Sequence, residues 1–198
     1  MIMTSLRRLL SQENFWPLFG AQALGAFNDN FFRSALIALV AFSDISGGPG
    51  KTILGALVTG LMMLPFFLFS SLAGELADRL RKSRLVKITK GAELAIMALA
   101  AAFFWWGNLN ALLAALFLMG AQSAFFGPLK YGLLPEVLAE EDLVAGNGLV
   151  EAATFLAIVL GTLAGSWLVT RPGGGNHLPS GGPGAGGRGR FLPGFKTA

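Results

Sequence analysis

Apolar residues run in long stretches along this chain, each of a length that suits a membrane-crossing helix. The first stretch extends from Phe15 to Phe42 and is broken only by Asn28-Asp29-Asn30 and Arg33. As one helix, its 28 residues reach about 42 Å, enough to cross a hydrocarbon core of ~30 Å with tilt. Ser43–Thr52 (SDISGGPGKT) reads as a short polar turn. Ile53–Ala73 is a second apolar stretch, followed by GELADRLRKSRLVKITK, which reads as a strongly basic loop. From Leu94 to Leu129 no residue is charged. A single helix over that region would be about 54 Å long, too long for any bilayer. Gly107-Asn108-Leu109-Asn110 is therefore expected to break it into spans near Leu85–Trp106 and Ala111–Gly127. A fifth span covers Leu149–Thr170.

The pattern predicts an all-α, polytopic membrane bundle of about five transmembrane helices, and composition agrees. Hydrophobic residues make up 54% of the 198 positions and charged residues 13%, with a mean hydropathy of +0.62. Soluble proteins carry about 25% charged residues, and a water-soluble fold of this size could not hide so much apolar side chain. Arg7 and Arg8 before the first stretch resemble the start of a signal peptide, but the apolar run resumes after Asn30 and continues to Phe42. A retained helix fits better.

Charge then sets orientation. Arg7 and Arg8 precede the first span, and Arg79, Arg81, Lys82, Arg84, Lys87 and Lys90 follow the second, whereas the opposite loops carry only Lys51. Basic loops stay in the cytoplasm, which places the N-terminus inside. The net charge of +4 is thus a topological signal, and no solvated basic face interleaved with aromatics speaks for nucleic acid. The absence of Cys excludes thiolate metal sites, and His177 as the single His, in the C-terminal tail, speaks against histidine metal clusters and Ser-His catalysis, so no cofactor is expected.

After Arg171 the sequence changes abruptly. Residues 172–198 hold ten Gly, four Pro and no acidic residue, a composition that cannot bury a core and reads as disordered. The expected organisation is a membrane bundle over 1–171 and a Gly/Pro-rich tail over 172–198. Gly, Pro and Arg codons are GC-rich, so a frameshifted end is the preferred reading of the tail, and a native disordered tail is its rival.

Candidate chemistry lies in the middle of the first span. Each isolated charge in a membrane helix costs about 2.5–3.5 kcal/mol on insertion scales, and intramembrane charges are functional by default. Gln22, Gly25, Ala26, Asp29 and Arg33 fall within one sector of a helix. Asp29 and Arg33 stand four apart and are expected to pair. Gln22, Asn28, Asp29, Asn30 and Arg33 are thus cavity candidates, with a purely structural ion pair as the alternative. Gln122 and Ser123, mid-span in the fourth helix, suit a cavity or helix–helix hydrogen bonding. Phe125–Tyr131 is expected to end that helix, and Lys130 suits either a snorkelling anchor or a phosphate ligand. Glu151 is equally open. Gly161 and Gly165 form a GxxxG pair that reads as close helix packing. Gly50-Lys51-Thr52 imitates a phosphate-binding loop but lacks the first glycine and the preceding strand.

Between spans two and three, Gly74, Leu76, Ala77, Asp78 and Arg79 resemble the cytoplasmic loop signature of the major facilitator superfamily, with Arg81 where a second glycine usually stands. ALGAFNDNFFRSAL, FGPLKYGLLPEVL and LVAGNGLVEAATFLAIVLGTLAG narrow this to a resemblance to its lysophospholipid transporter family, over roughly residues 13–170. That resemblance implies the N-terminal part of a fold of twelve spans in two six-helix halves. It also implies alternating access and inward movement of lysophospholipids across the bacterial inner membrane. Asp78 is implied to help join the halves, with Gly74 and Arg79 in the same motif. Membrane lipid and a phospholipid acyltransferase, fused to such transporters in some bacteria, are the implied partners. The alternatives are a facilitator for a drug or another small molecule, a membrane-embedded enzyme, and a non-transporting truncated product. Acyl transfer normally wants a His-Asp pair, and no span has a His. With five helices of one half, the chain alone is expected not to transport.

Overall fold

A computed structural model of the chain describes Leu9, Gln12 and residues 15–42 and 48–171. These form five long helices: α1 (Phe15–Phe42), α2 (Gly48–Arg79), α3 (Lys82–Trp105), α4 (Leu109–Val137) and α5 (Leu143–Thr170), with a 3-10 turn at Glu140–Asp142 before α5. No strand occurs among the described residues. The expected helical bundle is what forms. Among the described residues, four helical segments are long and apolar enough to cross a membrane, within α2, α3, α4 and the stretch from Glu140 to Thr170. α1 has the length, but Asn28, Asp29, Asn30 and Arg33 dilute its hydropathy.

The α3–α4 hairpin forms where the sequence placed it. Gly107 takes the left-handed conformation, φ 66°, which costs glycine nothing and any other residue strain. Asn108 then caps α4, its side-chain oxygen accepting from the Ala111 amide at 3.1 Å.

Element boundaries correct the sequence reading at three places. The basic stretch after span two is mostly helix, because α2 runs to Arg79 and α3 starts at Lys82, leaving only Leu80 and Arg81 between them. Arg81 is extended, φ −60° and ψ 114°, so the junction turns without the missing glycine. Gly48–Thr52 belong to the start of α2, while Ser43–Gly47 lie outside the described residues. Finally, α4 does not end around Tyr131 but continues through Pro128 and Pro135 to Val137. Polar residues at these helix ends mark the membrane surface, and the backbone hydrogen-bond ladder continues beyond it. The tail, residues 172–198, lies outside the described residues.

Helix pairing rests on glycines that let backbones touch. α1 lies along α5, and a Cβ on Gly161 or Gly165 would collide with the carbonyls of Phe27 or Phe31. The GxxxG pair is packing, as its spacing suggested. Likewise Gly120 of α4 rests on the Met62 carbonyl of α2, beside Pro65. One apolar core, including Leu36, Leu39, Val58, Leu112, Leu116 and Met119, fills the half of the bundle near the α3–α4 hairpin. Two smaller clusters, around Phe15, Leu134 and Val150 and around Leu85, Phe126 and Leu129, fill the other half. Outward faces are apolar too: Phe67 is 82% exposed and Leu94 74%. In water each such side chain would forgo about 1.5–3 kcal/mol of burial, whereas lipid chains solvate it.

Candidate functional site

Between the apolar core and the smaller clusters lies a layer of polar side chains from three helices. Asp29 of α1, Glu93 of α3 and Ser123 of α4 each fall within one residue of the midpoint of their helix, so the layer sits halfway across the bundle.

The layer is built of two hydrogen-bonded groups, Asp29 with Ser123 and Glu93 with Asn28, Gln122 and Lys90, which meet where Ser123 adjoins Gln122. Ser123 Oγ donates its one hydrogen to Asp29 Oδ2 at 2.7 Å, and Gln122 Oε1 lies beside it at 3.1 Å as the alternative acceptor. Gln122, itself buried, donates through Nε2 to Glu93 Oε2 at 3.3 Å. Asn28 Nδ2 donates to Glu93 Oε1 at 3.2 Å, and Lys90 Nζ pairs with Glu93 Oε2 at 2.7 Å. The Lys90 ammonium also lies 4.2 Å from the centre of the Phe126 ring, a cation–π contact. Glu93 therefore has both oxygens satisfied by donors from α1, α3 and α4. Asp29 does not: its Oδ1 is buried with no hydrogen-bond partner among the described residues.

The expected pairing of Asp29 with Arg33 is not found among the described residues. Arg33 Nη2 donates instead to Asn30 Oδ1 at 2.7 Å, while Asn30 Nδ2 returns a bond to the Ala26 carbonyl at 2.8 Å. Asn30 lies one turn from Arg33 on the same helix and captures the guanidinium. The buried face of α1 turns Asp29 toward Ser123. Gln22 is on α1, partly buried and about two turns before Asp29. Of the predicted candidates, then, Asn28, Asp29 and Gln122 share one network, and Asn30 and Arg33 form a second, local one.

Lys90 and Glu93 are the members that sequence reasoning missed. Lys90 was counted among the loop charges, yet it lies inside α3, part-buried against Gly25 and Phe126. The available signal was periodicity: with the helix begun at Lys82, Val86, Lys90, Glu93 and Met97 share one face.

Lys130 lies away from this layer, seven residues further along α4 than Ser123. It is buried and pairs with Glu151 Oε1 of α5 at 2.5 Å, so it does not snorkel. At the end where α2 meets α3, Asp78 lines a cleft of about 520 Å³ with Arg81, Lys82, Ser83 and Glu136. Lys82 Nζ closes one wall, bonding to the Gly132 carbonyl at 2.9 Å and to Glu136 at 2.7 Å. Arg79 pairs with Glu75 at 2.8 Å on the exposed side, and Gly74 has open space around it.

Comparison with known proteins adds a family. Residues 7–176 match the family model of the Major Facilitator Superfamily. The chain is 35% identical over 149 residues to the lysophospholipid transporter LplT of Serratia proteamaculans (strain 568), covering 75% of this chain and 34% of that protein. LplT of Yersinia pestis (strain Pestoides F) and of Yersinia pseudotuberculosis serotype I (strain IP32953) match with the same identity and coverage. The chain thus spans about a third of the length of these curated relatives. No solved structure matches.

Proposed function

We propose that this chain, which belongs to the major facilitator superfamily and is a multi-pass membrane protein, contributes the first helices of a transporter that moves lysophospholipids across a bacterial inner membrane. The observation that carries this reading is the polar layer of Asp29, Ser123, Gln122, Glu93 and Lys90, halfway across an apolar bundle. Such a layer suits an amphiphile: Asp29 keeps a carboxylate oxygen without a partner among the described residues for a polar head, while neighbouring apolar side chains suit an acyl chain. The similarity to lysophospholipid transporters supports the same substrate class.

Alternating access requires two bundles rocking about a shared site near the midplane, and α1 to α5 supply most of one. Asp78, beside the cleft at the α2–α3 junction, is well placed to meet the other bundle, with Gly74 and Arg79 framing that end. The basic residues at that junction support a cytoplasmic N-terminus, since α1 starts at the same end. An acyltransferase that consumes the imported lysophospholipid is the partner this reading implies.

The test is a chimaera that joins residues 1–171 to the remaining two-thirds of the Serratia proteamaculans transporter. It is expressed in a bacterium lacking its own lysophospholipid transporter. Uptake of labelled lysophosphatidylethanolamine into spheroplasts is expected. A chimaera that reaches the membrane but moves no lysophospholipid refutes the reading.

A further inference from the structure

We infer that Lys90 and Glu93 are a positioning pair that sets which head-group charge the central layer accepts. This rests on the lysophospholipid reading above and deepens it.

The argument starts from charge and hydrogen-bond valence. The layer contains two carboxylates, Asp29 and Glu93, and one ammonium, Lys90. Glu93 is saturated: Asn28 donates to one oxygen, and Gln122 and Lys90 to the other. Its charge is spent inside the protein. Asp29 keeps a buried oxygen without a partner among the described residues, so its hydrogen-bonding capacity is not used up inside the bundle. How strongly Asp29 attracts a cationic head group, or repels an anionic one, depends on the net charge behind it. That background is the Lys90–Glu93 pair, which sums to zero.

The geometry holds Lys90 in that role. Gly25 of α1 leaves the space its ammonium fills, since a Cβ there would lie 2.6 Å from Nζ. The Phe126 ring closes the other side at 4.2 Å, and Glu93 holds the charge at 2.7 Å. The side chains of Lys90 and Glu93 are only 22% and 9% exposed, so salt screens them little. Gln122 and Ser123, adjacent on α4, hold Glu93 and Asp29 respectively, so protein rather than bulk solvent lies between the pair and Asp29.

Removing each partner therefore has opposite consequences. Glu93→Gln keeps a hydrogen-bonding amide but leaves an uncompensated ammonium behind Asp29, which favours anionic head groups. Lys90→Gln leaves two uncompensated carboxylates, which favours head groups carrying an ammonium. A pair that only held the helices together would weaken both ligands alike in both variants.

The experiment uses the 198-residue chain in lipid nanodiscs. A fluorescent lysophosphatidylethanolamine is displaced by unlabelled lysophosphatidylethanolamine, which carries an ammonium, or by lysophosphatidylglycerol, which is a net anion. The readout is the ratio of the two displacement constants. Glu93→Gln is expected to shift the ratio toward lysophosphatidylglycerol by about tenfold and Lys90→Gln about tenfold the other way, the size of one uncompensated neighbouring charge. The double variant Lys90→Gln/Glu93→Gln restores a neutral background and is expected to return to the wild-type ratio. Glu93→Asp, which keeps the charge, is expected to hold that ratio too, and far-ultraviolet circular dichroism checks that each variant is folded. Shifts of the same sign, or no shift, in folded single variants overturn the inference while leaving the lysophospholipid reading standing. If Glu93→Gln does not fold, a wild-type ratio in Lys90→Gln overturns it by itself. A wild-type chain with no displaceable binding overturns the inference, while uptake by the chimaera decides the lysophospholipid reading separately.

Discussion

Gly165 offers a direct test of how the bundle is held together. A Cβ built on it would collide with the Phe31 carbonyl, lie 2.9 Å from that carbonyl carbon and 3.1 Å from the Ala35 nitrogen. Ordinary contact begins at 3.4 Å, and the obstacle is backbone on both counts, so no side-chain rotation relieves it. Gly165→Ala must push α5 off α1 by at least about half an ångström. Overpacking of this kind costs about 1–3 kcal/mol, against which alanine regains about 0.8–1 kcal/mol of helix propensity. A backbone obstacle belongs at the upper end of that range, for a net loss of about 1–2 kcal/mol. Gly148 is the matched control, on the same helix with nothing within 4 Å, so Gly148→Ala keeps the propensity gain alone. The two variants should differ by about 2–3 kcal/mol. For a chain of this size that corresponds to roughly 5–10 °C in melting temperature. Thermal unfolding of the purified chain in one detergent, followed by circular dichroism at 222 nm, measures the difference. A Gly165→Ala melting temperature at or above that of Gly148→Ala would refute the close α1–α5 contact.

Three further outcomes are expected. Asp29→Asn removes the carboxylate whose second oxygen has no partner among the described residues, and the chimaera carrying it should lose most lysophospholipid uptake at unchanged protein level; wild-type uptake would remove Asp29 from the mechanism. Asn108→Ala deletes the α4 cap and should cost about 1 kcal/mol, read as a lower melting temperature, with Asn108→Ser close to wild type. Single cysteines at Ser83 and Asn110, both exposed at opposite ends of the bundle, should react with a membrane-impermeant maleimide from opposite sides, Ser83→Cys from the cytoplasm. Labelling of both from one side contradicts the topology.

The sequence by itself determined the class of the fold and its solvent. Apolar runs of membrane length, the scarcity of charge and the placement of Lys and Arg need no tertiary information, because they report on the free energy of transfer into lipid. Local punctuation was legible for the same reason: Gly107 and Asn108 act within a few residues, and the GxxxG spacing of Gly161 and Gly165 is a property of one helix. Helix ends were not, since transfer into lipid stops at the membrane surface whereas the backbone ladder does not, and so α2 and α3 swallow most of the basic stretch from Gly74 to Lys90. Above all, the partners of buried polar groups were not legible. Spacing allowed Arg33 to meet Asp29 or Asn30, and only the packing of α4 against α1, which presents Ser123 to Asp29 across 94 positions of sequence, decided between them. Lys90 looked like one more loop charge until α3 brought it beside Glu93 and under Phe126. A buried charge takes whichever donor or counter-ion the neighbouring helices bring within about 3 Å, and that choice exists only once the helices have packed.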